Sequence, residues 1–292
     1  MMKVIPLAAD SMGCRSMATL VETSDCSIVV DPSANLGDSR YGQGPHPLEL
    51  WCLKKMKERI RLFCRKSDII VLTCFYNDHY THDEPELYRN KILLMKNPNQ
   101  DIHTEHRNRA FEFIKKIKGI PAEIHYMDDR QYTLGNTNLV FSPAVANRDS
   151  ENRQYVIQCA VKTDQSSFLI TSDVQGPSEA ALPFILNQNP ELIYIDGPNT
   201  YMHTKGTEHD SLQQSMDRII QILKKTQMKE IIIDHHLVRD LNWRDRIKIL
   251  FEYAKQQSVH IQTAASFRGE NENPLEARRE QLYENDEITG HE

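Results

Sequence analysis

A layered α/β sandwich is the fold class this sequence predicts, and three observations predict it. Short β-branched runs alternate with longer amphipathic stretches along the whole chain, a layout of sheets covered by helices rather than of a helix bundle. The first third reads as hairpins and the last third as strand, helix, strand, helix, which suits mixed sheets with helices outside. No linker rich in Gly, Ser or Pro, no low-complexity tract and no repeat at a period of about 20 to 50 residues breaks the pattern. One domain over residues 1–292 is therefore the expected organisation.

Strands are expected at residues 4–7, 18–22, 27–31, 69–73, 139–142, 156–163, 168–171, 192–195 and 230–234, where β-rich runs stand between turn formers. Thr23, Ser24 and Asp25 separate two of these runs and predict a hairpin, and the polar residues Asp164 to Ser167 predict a second. Helices are expected at residues 48–65, 105–118, 179–186, 211–226 and 243–256, where the pattern is amphipathic. The tail at 269–292 is strongly charged. Within it, Pro274 followed by Leu275, Ala277 and Leu282 predicts a short helix that packs back on the body, ahead of frayed last residues.

The 292 residues carry 41 acidic and 35 basic side chains, for a net charge of -6. That balance argues against a broad basic surface for nucleic acid, while leaving room for a local basic groove. The segment 1–10 has Lys3 and then Asp10 where the apolar core of a secretory signal would have to continue, and no run approaches the roughly 20 apolar residues of a membrane span. A cytoplasmic protein with no membrane partner is the expectation, and a homo-oligomer is compatible with it. Cys14, Cys26, Cys52, Cys64, Cys74 and Cys159 form no C-x-x-C pair, so they are read as buried free thiols rather than a disulfide framework or a zinc ribbon.

In α/β sheets chemistry gathers where strands run out into loops. Residues 69–73 lead to Cys74, Tyr76, Asp78 and His79. Residues 168–171 lead to Ser172 and Asp173, 192–195 to Asp196, Gly197 and Pro198, and 231–233 to Asp234, His235 and His236. Carboxylates beside imidazoles suit Zn, Mn or Fe. An Asp after a strand is by itself most often a cap or turn former, and a lone strand-end His is most often structural. Four such ends in one chain point instead to a shared site at one edge of the sandwich.

Other polar residues carry weaker signals. His103 and His106 sit at a helix start among charged residues and read as a solvated face. Arg15 follows Gly13 in a loop with no strand-to-helix elbow, so it is assigned to substrate contact or to a carboxylate rather than to a nucleophile's surroundings. His203 and His209, near Tyr201 and Lys205, are placed to overhang the site and contact a substrate.

The order strand-Thr-x-x-x-x-Asp-His, then strand-Ser-Asp, then strand-Asp-His resembles the metallo-β-lactamase superfamily, whose first motif is His-x-His-x-Asp-His. The resemblance extends to a mainly archaeal branch of that superfamily assigned as hydrolases. It is carried by Ser11 to Thr19, by Val30-Asp31-Pro32, by Arg40-Tyr41-Gly42 with Pro45-His46-Pro47, by Asp196-Gly197-Pro198, by Asp234 to Asp240 and by Leu275-Glu276-Ala277-Arg278-Arg279. These segments span essentially the whole chain.

The resemblance implies an αββα sandwich of two mixed sheets flanked by helices, with metal at the sheet edges. There a metal-bound hydroxide attacks an ester, amide, thioester or phosphodiester. It places Cys74 and Tyr76 at the two His positions of the first motif, Asn147 at a third His position, Asp173 at the bridging carboxylate, and His235 or His236 at the last ligand. One metal position thus loses its nonbridging ligands, and the other keeps Asp78, His79 and the final His. The expectation is one Zn, with Mn or Fe as alternatives, and Cys74 as an added thiolate. Asp173 or Asp78 would handle the water, and Tyr76, Asn147, Asp196, His203 and Arg15 would contact a small-molecule or phosphodiester substrate. The competing expectation is a catalytically inactive scaffold or ligand-binding protein on the same fold. The tripeptide Asp234-His235-His236 also occurs in a class of phosphoesterases, but the earlier Asp-x-Asp motif they need is not found.

Overall fold

The computed structural model describes residues 2–147, 154–202 and 209–289. The strands β1 (Lys3–Pro6), β2 (Thr19–Glu22), β3 (Ser27–Val30), β4 (Ile69–Leu72), β5 (Ile92–Met95) and β6 (Glu123–Tyr126) lie side by side in chain order as one sheet. The first three pair antiparallel, and β3 to β6 run parallel. Parallel neighbours need a crossover, which α1 (Pro47–Lys66) supplies before β4 and α2 (Thr104–Lys116) before β6.

The second half supplies β7 (Gln131–Leu134), β8 (Thr137–Phe141), β9 (Val145–Ala146), β10 (Tyr155–Val156), β11 (Cys159–Lys162), β12 (Ser167–Ile170), β13 (Leu192–Asp196), β14 (Glu230–Asp234) and β15 (His260–Gln262). The two short strands β9 and β10 form a separate ribbon, and the rest make one sheet in the order β15-β14-β13-β12-β11-β8-β7. Its strands β12 to β15 are parallel. Helices α3 (Leu182–Gln188), α4 (His209–Lys225), α5 (Trp243–Arg246), α6 (Lys248–Gln256), α7 (Ala264–Phe267) and α8 (Arg279–Thr289) complete the described chain.

Alternation along the strands shows how the layers stack. Phe168 and Ile170 of β12, Tyr194 of β13 and Ile232 of β14 share a core with Val30 and Leu72 of the first sheet. Their neighbours Leu169, Ile193, Ile195, Ile231 and Ile233 face the other way, onto Ile219 and Leu223 of α4 and Leu250 of α6. Two sheets thus meet face to face with helices outside, an αββα arrangement. Among the described residues, no helix is long and apolar enough to cross a membrane.

Several elements differ from the sequence reading, each for a local reason. The run at 156–163 divides because Ile157 N–H donates to Thr73 O of the first sheet, 3.0 Å away, instead of continuing one ladder. The helix expected at 243–256 breaks at Ile247, whose backbone (φ -107, ψ 20) joins α5 to α6. β6 and β15 go unannounced because they are short edge strands carrying polar residues, and β5 because its Leu and Met residues lack β-branching. The tail does pack back. Arg279 at the start of α8 is fully buried, and its guanidinium binds Glu49 of α1 through two hydrogen bonds of 2.7 and 2.8 Å.

Candidate metal centre

The polar strand ends converge because β3, β4, β12, β13 and β14 run out toward the same edge of the sandwich. The hydroxyls of Thr73, after β4, and Ser172, after β12, lie 2.5 Å apart and tie the two sheets together there. Within two residues of the ends of β3, β12 and β14 stand Asp31 (φ 49), Ser172 (φ 64) and His235 (φ 58), all in the left-handed region without being glycine. Each such residue costs about 1–3 kcal/mol and persists only where its surroundings over-determine it. Asp234 helps to hold one of them: its carboxylate accepts from the N–H groups of Ser11 (3.0 Å), His235 (2.7 Å) and Ala264 (2.8 Å).

Three histidines at this edge each have Nδ1 on a buried aspartate. His79 meets Asp31 at 2.8 Å, His235 meets Asp10 at 2.7 Å, and His236 lies 3.0 Å from both oxygens of Asp196. All three aspartates are within 5% of full burial. Each is fixed in turn. Asp31 accepts from the Thr73 N–H and hydroxyl, Asp10 from Arg239 Nε at 2.6 Å, and Asp196 from the Gln175 and His236 N–H groups. An imidazole committed at Nδ1 has Nε2 left to serve as a ligand, and a carboxylate behind a metal-binding histidine fixes its tautomer and orientation.

The inward-facing donors are short of partners. His79 Nε2 and Asp173 Oδ1 are buried with no hydrogen-bond partner. His235 Nε2 stands 3.4 Å from Arg239 Nη2 and 3.7 Å from Asp78, and His236 Nδ1 stands 3.7 Å from Asp173 Oδ1. Burial, joined by Arg239, keeps His236 down at about 4 and His235 well below the usual imidazole value, so both rings are neutral. Burial, with Asp196 and Asp78 nearby, pushes the Asp173 carboxyl up to about 6. At His79 burial works downward, but the neighbouring Cys74 and Asp31 outweigh it and hold the ring well above its usual value.

The neutral imidazoles of His235 and His236, crowded carboxylates and two unpartnered buried donor atoms are what a cation would satisfy. One ligand atom from each of Asp78, His79 and His235 lies within 4.8 Å of the others, and the same holds for Asp173, His235 and His236. Donors about 2.1 Å from one zinc ion lie within roughly 4 Å of one another. Shifts of under about an ångström would close either group on an ion, so the residues present fit a divalent metal.

The structure brings Asp78, His79, Asp173, His235 and His236 together and distributes the other candidates around them. Cys74 belongs to neither ligand group. It packs with Val145, Val156 and Val174, and burial pushes its thiol up. Tyr76 and Asn147 meet each other, the amide donating to the phenol oxygen at 3.0 Å. Asp196 is spent on His236, so it positions a histidine and is not open to a substrate. Arg15 is bound bidentately to Glu276 at 2.6 Å. His203 lies outside the described residues, as does the His209 side chain. The reading of His106 as solvated is corrected: it is 2% exposed on the inner face of α2, edge-on to Tyr76 with ring centroids 4.3 Å apart. His103 caps α2 instead.

Sequence reasoning missed two of the orienting aspartates. Asp31 ends a β-branched run as Asp173 and Asp196 do, so the same strand-end rule finds it when applied evenly. Asp10 lies in a loop 225 residues from its histidine, and nothing local marks it.

No protein-family model matches the chain. It is 38% identical over 293 residues to a UPF0282 protein of Metallosphaera sedula, covering 98% of this chain and 94% of that one. A UPF0282 protein of Korarchaeum cryptofilum is 37% identical over 285 residues, covering 97% and 95%. Among solved structures, unliganded yeast PDE1 superposes with a TM-score of 0.53 at 11% identity, over 89% of this chain and 96% of that one. Zinc-bound PqqB from Methylobacterium extorquens gives 0.51 at 9% identity, over 90% and 98%. These two likenesses are of fold.

Proposed function

Since the chain belongs to the UPF0282 family of archaeal proteins, we propose that its shared edge site is a single-metal hydrolase centre. The observation that carries this reading is the set of three Asp–His pairs around the unpartnered His79 Nε2 and Asp173 Oδ1. Asp78, His79 and His235 would hold the ion, a three-ligand set that keeps a position open. Asp173 and His236 line the opposite side, and the larger shells of Mn or Fe can draw on them as well. A divalent ion bound there supplies Lewis acidity and makes its water easier to deprotonate.

The protein's own groups divide the remaining work. Asp173, with an ordinary carboxylate's acidity weakened to about 6, is suited to take a proton near neutral pH. Asp31 and Asp10 hold the two ligand histidines in register, and Asp196 holds His236 beside Asp173. Cys74, Tyr76 and Asn147 stand where the superfamily resemblance places the other metal position. The Tyr76–Asn147 hydrogen bond and the apolar packing of Cys74 favour one ion over two; Asn147, fully buried with its amide oxygen accepting from the Gln154 N–H, is closed to a substrate, which leaves Tyr76 as the polar contact.

Activity on simple probes tests this reading. The zinc- or manganese-loaded chain is expected to hydrolyse p-nitrophenyl acetate or bis(p-nitrophenyl) phosphate above the metal-free background. Asp173→Asn is expected to lower kcat by about 10²- to 10⁴-fold, the range of general base catalysis. Turnover unchanged in Asp173→Asn would remove that residue from the mechanism, and a metal-loaded chain inert toward both probes would count against a hydrolase.

A further inference from the structure

Arg40 differs from the other buried or half-buried arginines near the centre. Arg15, Arg239 and Arg279 each bind a carboxylate, of Glu276, Asp10 and Glu49 respectively. Among the described residues Arg40 binds none. Its Nη2 donates to the Arg239 carbonyl at 2.9 Å and lies 3.5 Å from the Tyr41 hydroxyl, and its Nε is buried with no hydrogen-bond partner. The side chain as a whole is half-buried, but a donor atom shut off from water without a partner is costly.

The side chain is nonetheless held firmly. Its guanidinium carbon sits 4.1 Å from the centre of the Tyr201 ring and 4.8 Å from that of Tyr41, so the two rings fix the plane of the donor fork. Tyr41 reaches this place from a strained backbone. It occupies the left-handed region (φ 55) before Gly42 (φ 75), in a tight turn closed by paired Arg40 and Gln43 hydrogen bonds. Such turns favour Asn or Asp at that point, and its hydroxyl is anchored on Ala277 O at 3.2 Å.

The carbonyl that holds Arg40 belongs to Arg239, whose side chain grips Asp10 and through it His235. Tyr201 lies on the short turn Thr200–Met202, which packs against Leu237–Arg239, the turn that follows His236. Arg40 is therefore tied to a histidine of the candidate metal centre through the Arg239 backbone and then the Arg239–Asp10 and Asp10–His235 hydrogen bonds.

We propose that Arg40, clamped by Tyr41 and Tyr201, is the anion-recognition residue of the centre, so that its substrates carry a carboxylate or phosphate group. The proposal rests on the reading of the edge site as a metal centre. A planar fork with Nε unspent matches the two oxygens of either anion, and a bound oxyanion supplies the countercharge that no described residue gives Arg40.

Calorimetric titration with inorganic phosphate, and separately with malonate, tests it on the zinc-loaded full chain and on the metal-free chain. Arg40→Met is expected to weaken binding of at least one anion tenfold or more, in both forms, with zinc content unchanged. Arg40→Lys, which keeps the charge but loses the fork, is expected to fall between, and it guards against a misfolded Met variant. Loss with phosphate alone assigns a phosphate ester, and loss with malonate alone a carboxylate. Equal affinities in wild type and both variants, or no anion binding by the wild type, overturns the proposal. A wild type that takes up no zinc but loses phosphate binding in Arg40→Met contradicts the metal reading and leaves the anion site standing.

Discussion

Arg279→Met is expected to destabilise the protein by about 3–5 kcal/mol, the usual cost of removing one partner from a buried ion pair. Both Arg279 and Glu49 are 0% exposed. The guanidinium binds both Glu49 oxygens and also the carbonyls of Gln43 and Gly37, each at 3.0 Å. Glu49 also accepts from the His46 N–H at 2.8 Å as part of the capping box that opens α1. Removing the arginine leaves a buried carboxylate with one hydrogen bond and loosens the start of α8. For a chain of this size that corresponds to a fall in Tm of roughly 10 °C, read by circular dichroism. Combining it with Glu49→Leu removes the unpaired charge and is expected to recover part of the loss. A Tm within a degree of wild type in the single variant would show that the tail is not held by this pair.

The second large effect concerns the aspartates behind the histidines. Asp31→Asn is expected to weaken metal binding by about 10- to 100-fold, the range for residues that orient a ligand. An amide can still sit beside His79 Nδ1 but no longer supports the ring with a negative charge. Asp234→Asn is the informative comparison. Asp234 is just as buried and belongs to the same strand-end pattern, yet it accepts from backbone N–H groups and no imidazole, so metal affinity is expected to fall less than in Asp31→Asn while stability falls. Competition against a chromogenic chelator reads both. Equal losses in the two variants would mean that general damage to the edge, not the orientation of His79, sets the affinity.

The contrast between Asp31 and Asp234 also marks how far the sequence could be read. Layering, the two hairpins and the convergence of four strand ends were legible because they depend on local patterns: β-branched runs, polar turns and the residue after each strand. Asp78, His79, Asp173, His235 and His236, which the structure brings together at one edge, follow from that rule. The roles of the aspartates were not legible, because role depends on what stands opposite. Asp196, expected at a substrate, faces His236; Asp234, expected in the same cluster, ties down Ser11, His235 and Ala264; and Asp10 reaches His235 from the other end of the chain. His106 shows the same limit in reverse. Its charged neighbours suggested solvent, but its own position falls on the buried face of α2 with Ala110 and Phe113.

The central claim, one metal ion per chain at the edge between the sheets, is tested most directly by elemental analysis of the untagged protein purified without chelator and reloaded with zinc or manganese. The account predicts about one ion per chain in the wild type, and its loss when Asp78→Ala and His79→Ala are combined. Two ions per wild-type chain, none after reloading, or one that persists in the double variant would contradict it.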